Sequence, residues 1–207
     1  MRVVSEPRVD GRTLRFQHRR PEILEAVMEH VLEHGLGDLS LRSLAAAVGV
    51  SHVTLRHHFG SKEELVAELF DEIRARQEIP ADVAAEDGAA LLRRLWRDWT
   101  GEPGLRQFRL LFEAYGQALM APDRYRRFLD GVVGDWLAII EGWAVAAGCS
   151  ADEAPQFATL LIAQLRGLAL DLLATGDRAR VDAAFDEVVE AAERRRAAWA
   201  VSSGSRA

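Results

Sequence analysis

The sequence has one cysteine, Cys149, and among its 26 basic side chains a single lysine, Lys62. A lone cysteine excludes an internal disulfide and suits a reducing compartment, so a cytoplasmic protein is expected. No uninterrupted apolar run reaches the ~18 to 20 residues of a membrane span, and no membrane partner is expected. The first residues, Met1-Arg-Val-Val-Ser-Glu-Pro-Arg8, lack the apolar core of a secretory leader. Strand-type alternation is missing too, as are a Gly-rich phosphate loop and any recognisable Ser/His/Asp or Cys/His arrangement. Nucleotide chemistry and nucleophilic catalysis therefore have no support, and no cofactor is expected. The net charge of −6 argues against a general nucleic-acid coat. One local absence cuts the other way: no Asp or Glu occurs between Leu39 and Lys62.

What is present is helical periodicity. Residues 1–19 are Arg-rich and unpatterned, and are expected to form a flexible arm whose Arg8, Arg12, Arg15, Arg19 and Arg20 region suits a minor groove or open solvent equally. Pro21 opens a helix with an apolar stripe of Ile23, Leu24, Val27, Val31 and Leu32, and Gly35 ends it. Ser40 caps a short helix over 41–48. Gly49 supplies a turn, and Ser51 caps a helix over 52–59. Ser61-Lys-Glu-Glu64 has the spacing of a capping box, starting a helix to about residue 79. Turn residues beyond it cut out five more helices near 87–99, 105–120, 123–147, 152–175 and 178–200. The expected fold is all-α with about nine helices. It comprises an N-terminal three-helix helix-turn-helix headpiece with its connecting helix over 20–79, and a larger helical ligand-binding and dimerisation domain over 80–207.

Two short helices joined by a Gly-centred turn are the form that lays its second helix in the major groove of DNA. At 100° per residue Leu55, His58 and Phe59 fall on the buried side of 52–59. Val53, Thr54, Arg56 and His57 fall on the other, with His52 at the tip. An outward Arg56 suits guanine or a phosphate, and Val53 a thymine methyl. Thr54 and His57 suit phosphate anchoring, while Lys62 at a helix N-terminus suits a gripped phosphate. A double-stranded operator is the expected partner.

The stretch Ile23-Leu-Glu-Ala-Val…Gly35…Ser40-Leu-Arg-Ser-Leu-Ala…Gly49-Val-Ser-His-Val-Thr-Leu-Arg-His-His-Phe59-Gly-Ser-Lys-Glu-Glu-Leu65 resembles the DNA-binding headpiece of the TetR family of bacterial repressors. The resemblance implies phosphate contacts at Arg42, Thr54, His57 and Lys62, with His52 and Val53 near bases. Arg56 stands where the family usually carries a phosphate-contacting tyrosine, which opens a base-reading role for it. The resemblance also implies a homodimer on a palindromic operator, released when an unidentified small-molecule effector enters the body.

Two features of the body bear on that. Val181, Phe185, Val188 and Ala192 repeat at helical spacing, with Trp199 on the same seam. The preceding helix carries a broad apolar face around Gly167, so a dimer through about 152–175 and 178–200 is expected. Nine of the fifteen aromatic residues lie between Trp96 and Trp143. A cavity walled by Trp96, Phe112, Tyr115, Trp136 and Gln164 is expected, with Arg109, Glu113 or Arg166 orienting a polar ligand.

Two other readings use the same residues. His30-Val-Leu-Glu-His34 matches the H-x-x-E-H pattern of a zinc-peptidase class, which would make His30 and His34 ligands and Glu33 the base. A helical adaptor without DNA binding would keep the fold and lose the interface. Neither accounts for the carboxylate-free stretch, and a non-enzymatic regulator is the expectation.

Overall fold

The computed structural model describes residues 19–37, 39–76 and 88–204, and among these there are helices and no strands. The proposed arm, apart from Arg19, and the boundary near residue 80 lie outside the described residues. Four helices form the headpiece: α1 (Arg20–His34), α2 (Leu41–Ala47), α3 (His52–Phe59) and α4 (Lys62–Ala75). The body holds α5 (Gly88–Thr100), α6 (Glu102–Met120), α7, α8 (Ala154–Thr175) and α9 (Arg178–Gly204). Helix α7 runs without a break through Arg126–Leu129, a π-helical segment Asp130–Asp135, and Trp136–Ala146. Counted this way, nine helices lie among the described residues.

The starts follow from local chemistry. Ser40, Ser51 and Ser61 each accept the backbone N–H three residues on, and Ser61 and Glu64 complete the reciprocal capping box. Gly60, at φ 70°, leaves no room for a Cβ, which would run into the Glu64 carboxylate that closes the box. Helix α6 begins three residues before the expected 105, because Pro103 sits in its first turn, where a missing N–H costs nothing. Helix α7 begins at Arg126 instead of 123, since the chain is still turning at Tyr125.

Apolar packing forms two main cores. The first joins Val27, Leu44, Leu55, Leu65, Leu69 and Phe70 of the headpiece to Leu110, Ala114 and Ala118 of α6, Tyr125 of the following turn, and Phe128 and Val132 of α7. The second lies within the body, around Trp96, Ile140, Leu161, Leu165, Val181 and Phe185. This second core corrects one sequence expectation. Val181, Phe185 and Val188 are buried inside the chain, so that seam of α9 is occupied before any partner arrives. Helical spacing shows that a face is covered without showing by what. The outward face of α8 does stay open, with Leu160 and Leu170 about half exposed. By length and composition α8 is apolar enough to cross a membrane, yet its other face packs in the second core, and it carries Arg166 and Asp171 in polar contacts.

Headpiece and body are pinned together at Leu36, which is 1% exposed. Its N–H donates to the Glu113 carboxylate of α6, and its carbonyl accepts from Gln117 Nε2 and Lys62 Nζ. Gly35 beside it has φ 79°, and a Cβ there would meet Glu113 Oε2 at 2.7 Å. A buried backbone N–H without a partner costs about 1 to 3 kcal/mol. Glu113→Ala is therefore expected to lower stability by about that amount in urea unfolding. Glu113→Gln, which keeps an acceptor oxygen, should lose much less; equal losses would remove Leu36 as the cause.

Candidate nucleic-acid interface and ligand cavity

Helix α3 is oriented by what it buries. Leu55 is fully enclosed and Phe59 nearly so, while Arg20 of α1 lies over the Phe59 ring and pairs with Glu68 of α4. That fixes the opposite side outward. Val53 is 75% exposed on this outward side. Arg56 and His57 are exposed, and Arg42 on α2 is exposed as well. Neither Arg42 nor Arg56 has an ion pair among the described residues, although most arginines elsewhere do, such as Arg76 with Glu25 and Glu72. His52 is half-buried. Thr54 is half-buried too, and its hydroxyl lies 2.7 Å from Ser51 Oγ, so it also serves the start of its own helix.

Lys62 has a contact that the sequence did not show. Its amine holds the Leu36 carbonyl at 3.1 Å, which gives the residue a structural task at the junction of headpiece and body. His30 and His34 stack with ring centroids 4.3 Å apart, and His34 Nδ1 donates to the His30 carbonyl at 3.0 Å. No group of three His, Cys, Asp or Glu side chains suited to a metal occurs among the described residues.

A cavity of about 90 Å³ lies between the two cores. Ala67, Phe70, Ile73 and Arg74 of α4 form one wall. Trp99 of α5, Phe108 and Leu111 of α6, Phe128 and Trp136 of α7, and Ile162, Leu165 and Arg166 of α8 line much of the rest, with Asp71 and Gln107 as further polar members. Trp99 meets Trp136 edge-on at 5.3 Å. Of the five expected wall residues only Trp136 lines this space. Tyr115 stands behind it, its hydroxyl accepting from Arg166 at 2.8 Å. Phe112 stacks behind Phe108. Trp96 is drawn away to α9, stacked on Phe185 and donating to Asp182. Gln164 is exposed on the outer face of α8, about 100° round the helix from its buried neighbour Leu165. The α4 wall was missed in the sequence, since aromatic clustering along the chain cannot report a side contributed by the headpiece. Of the three polar residues expected to orient a ligand, Arg166 lines the cavity, Arg109 is exposed and Glu113 holds Leu36. A second cavity, about 340 Å³, is bounded by Leu91, Trp143, Phe157 and Trp199 and touches no headpiece helix.

Residues 23–69 match the family model described as bacterial regulatory proteins, tetR family. The HTH-type transcriptional repressor AcnR of Corynebacterium diphtheriae is 39% identical over 85 residues, 41% of this chain and 42% of that protein. The HTH-type transcriptional repressor KstR2 of Mycobacterium tuberculosis is 43% identical over 51 residues, 25% of this chain and 26% of that protein. The matches thus span less than half the length of these relatives. Among solved structures, a transcriptional regulator from Rhodococcus sp. Rha1 superposes with TM-score 0.65 at 22% identity, covering 83% of this chain and 94% of that one. The multidrug binding protein EbrR, complexed with imidazole, gives 0.61 at 24%, covering 84% and 89%. At these identities the structures share the fold.

His58 carries a prediction of its own. Its Nε2 is buried without a hydrogen-bond partner among the described residues. Burial first, then the nearby His57, Arg20 and Arg19, hold its pKa below the ordinary 6.5. The unfolded chain therefore takes up a proton that the native state refuses, and this contribution to stability is lost as pH falls through about 6.5. The urea midpoint of the protein should drop further between about pH 7.5 and about pH 5.5 than that of His58→Leu. Parallel curves for the two would show that His58 is not the group responsible.

Proposed function

We propose that this chain, whose headpiece belongs to the tetR family of bacterial regulatory proteins, is a dimeric DNA-binding repressor released by a small-molecule effector in the cytoplasm. The observation that carries the reading is the double role of α4. It follows α3 directly, and its Ala67, Phe70 and Ile73 close the cavity in the body. In this reading α3 enters the major groove, Val53 meets a thymine methyl and Arg56 a guanine edge. Arg42, His57 and Thr54 fix the backbone register, with His52 at the tip near the bases. Lys62 contributes through the placement of α4 as well as through charge, so its substitution would mix two effects.

The effector step follows from volume. Small-molecule sites usually enclose about 300 Å³ or more, well above the space between the cores. An occupant must part the walls, and α4 is the wall that belongs to the headpiece. A ligand that fits only the parted state shifts the population toward it and re-spaces the two α3 helices of a dimer. Half-sites one helical turn apart, about 34 to 36 Å, tolerate little such change.

Two experiments test this. In fluorescence anisotropy, DNA flanking the protein's own gene should bind in preference to scrambled DNA. Arg56→Ala should cost about 1 to 3 kcal/mol and relax specificity, whereas Arg42→Ala should weaken all sequences alike and reduce the salt slope by about 1. Binding that ignores both substitutions and ionic strength would refute the proposed face. The dimer is assigned to the open face of α8, where Leu160, Gly167 and Leu170 are exposed. Sedimentation of a Leu160→Glu, Leu170→Glu double variant should give monomers, and an unchanged dimer would move the interface elsewhere.

A further inference from the structure

The cavity has a surplus positive charge. Arg74 at its edge is neutralised by Asp71 and Asp135, and Arg127 beside it pairs with Asp71. Arg166 has no carboxylate partner among the described residues. Its guanidinium donates to the Tyr115 hydroxyl at 2.8 Å and to the Val132 carbonyl, and lies over the Tyr115 ring, 5.6 Å from its centroid. Most other side chains lining the cavity, Phe108, Phe128, Trp136 and Leu165 included, are aromatic or aliphatic; the polar ones are Gln107 and the Asp71–Arg74 ion pair. Burial lowers its pKa, the direction expected of a cation short of compensating charge.

We propose that the effector is an organic monocarboxylate, with its carboxylate on Arg166 and a compact apolar body against Trp99, Phe108 and Trp136. This rests on the reading of the cavity as the effector site. With Arg74 paired to Asp71, the Arg166 guanidinium is the lining cation left without a carboxylate among the described residues; it balances one negative charge, and its planar fork matches a carboxylate in two parallel hydrogen bonds. A doubly charged phosphate would bring a second negative charge near Asp71, with no second unpaired cation among the described lining residues to meet it. The contact also reaches α4. Val132 and Gly131 are adjacent in the π-helical segment of α7. The Val132 carbonyl is held by Arg166 and the Gly131 carbonyl by Arg74 of α4. A carboxylate that draws Arg166 off Val132 loosens the segment against which α4 is braced, which an uncharged ligand of the same shape does not do.

Trp99 and Trp136 supply a readout that needs no DNA. Benzoate, phenylacetate and hexanoate are each titrated beside their primary amides, following tryptophan emission and thermal midpoint. At least one acid should saturate the signal and bind about tenfold or more tighter than its amide. In Arg166→Gln, with its fold checked by circular dichroism, acid and amide should bind alike, whereas Arg166→Lys should keep a preference for the acid. Amides binding as well as acids, an acid preference that survives Arg166→Gln, or no saturation up to about 10 mM would each overturn the proposal. Should an acid bind as expected while DNA binding stays unchanged, the anion site stands and the release of a repressor falls. DNA binding that responds to amides alone would do the reverse.

Discussion

Leu36 sits where the chain leaves the first helix, and its peptide groups are enclosed with no helix or sheet of their own to satisfy them. Buried peptide groups need partners, and here they come from two sides. Glu113 and Gln117 reach from α6 of the body, while Lys62 reaches from the start of α4. Gln117 in turn accepts from the Tyr125 hydroxyl at 2.6 Å, and Tyr125 and Phe128 belong to the same apolar core as Phe70 of α4. One loop residue therefore sets the seat of the headpiece on the body. The first core could not run through both without it, since the loop would otherwise have to stay in water.

That shared core explains why a cavity in the body concerns the headpiece at all. A space enclosed by one rigid core would simply be filled or empty. Here the walls come from both cores, Phe70 and Phe128 on one side and Trp99, Trp136 and Leu165 on the other. Interiors pack to crystal-like density and change by discrete rearrangement, so widening such a seam moves one core against the other. The π-helical segment lies on this line. Its extra residue per turn directs successive carbonyls, Gly131 and Val132, to α4 and α8.

Sequence and structure agree most closely where the information is local. The three serine caps need only side-chain oxygens three residues from an N–H, and the starts of α2, α3 and α4 follow from them. The faces of α3 follow from a period of 3.6 residues. What failed to come through is tertiary. Trp96 is as aromatic as Trp136, but Asp182 and Phe185 draw it away to α9. The seam of α9 has the spacing of an interface and is buried in the chain's own core. The α4 wall of the cavity and the π-helical segment left no mark that periodicity could register. Membership of a cavity depends on which helices cross, and clustering along the chain does not carry that.

Arginine replaces lysine almost throughout, and its settings separate the roles of the surfaces. Arg76 bridges Glu25 and Glu72 across α1 and α4 at the surface, where such pairs add little beyond alignment. Arg42 and Arg56 are exposed and have no ion pair among the described residues, a cheap arrangement because water screens them, and one that keeps their donors available to an incoming polyanion. Arg166 has no carboxylate partner among the described residues and is largely enclosed, which is costly, since the tyrosine ring, hydroxyl and carbonyl around it offer dipoles in place of an opposite charge. The same side chain without a carboxylate thus means different things by depth. Outside, it is the ordinary state of a surface awaiting phosphates. Inside, it is an electrostatic debt that an anion of the right shape would relieve, and the place where relief occurs adjoins the helix that carries the headpiece.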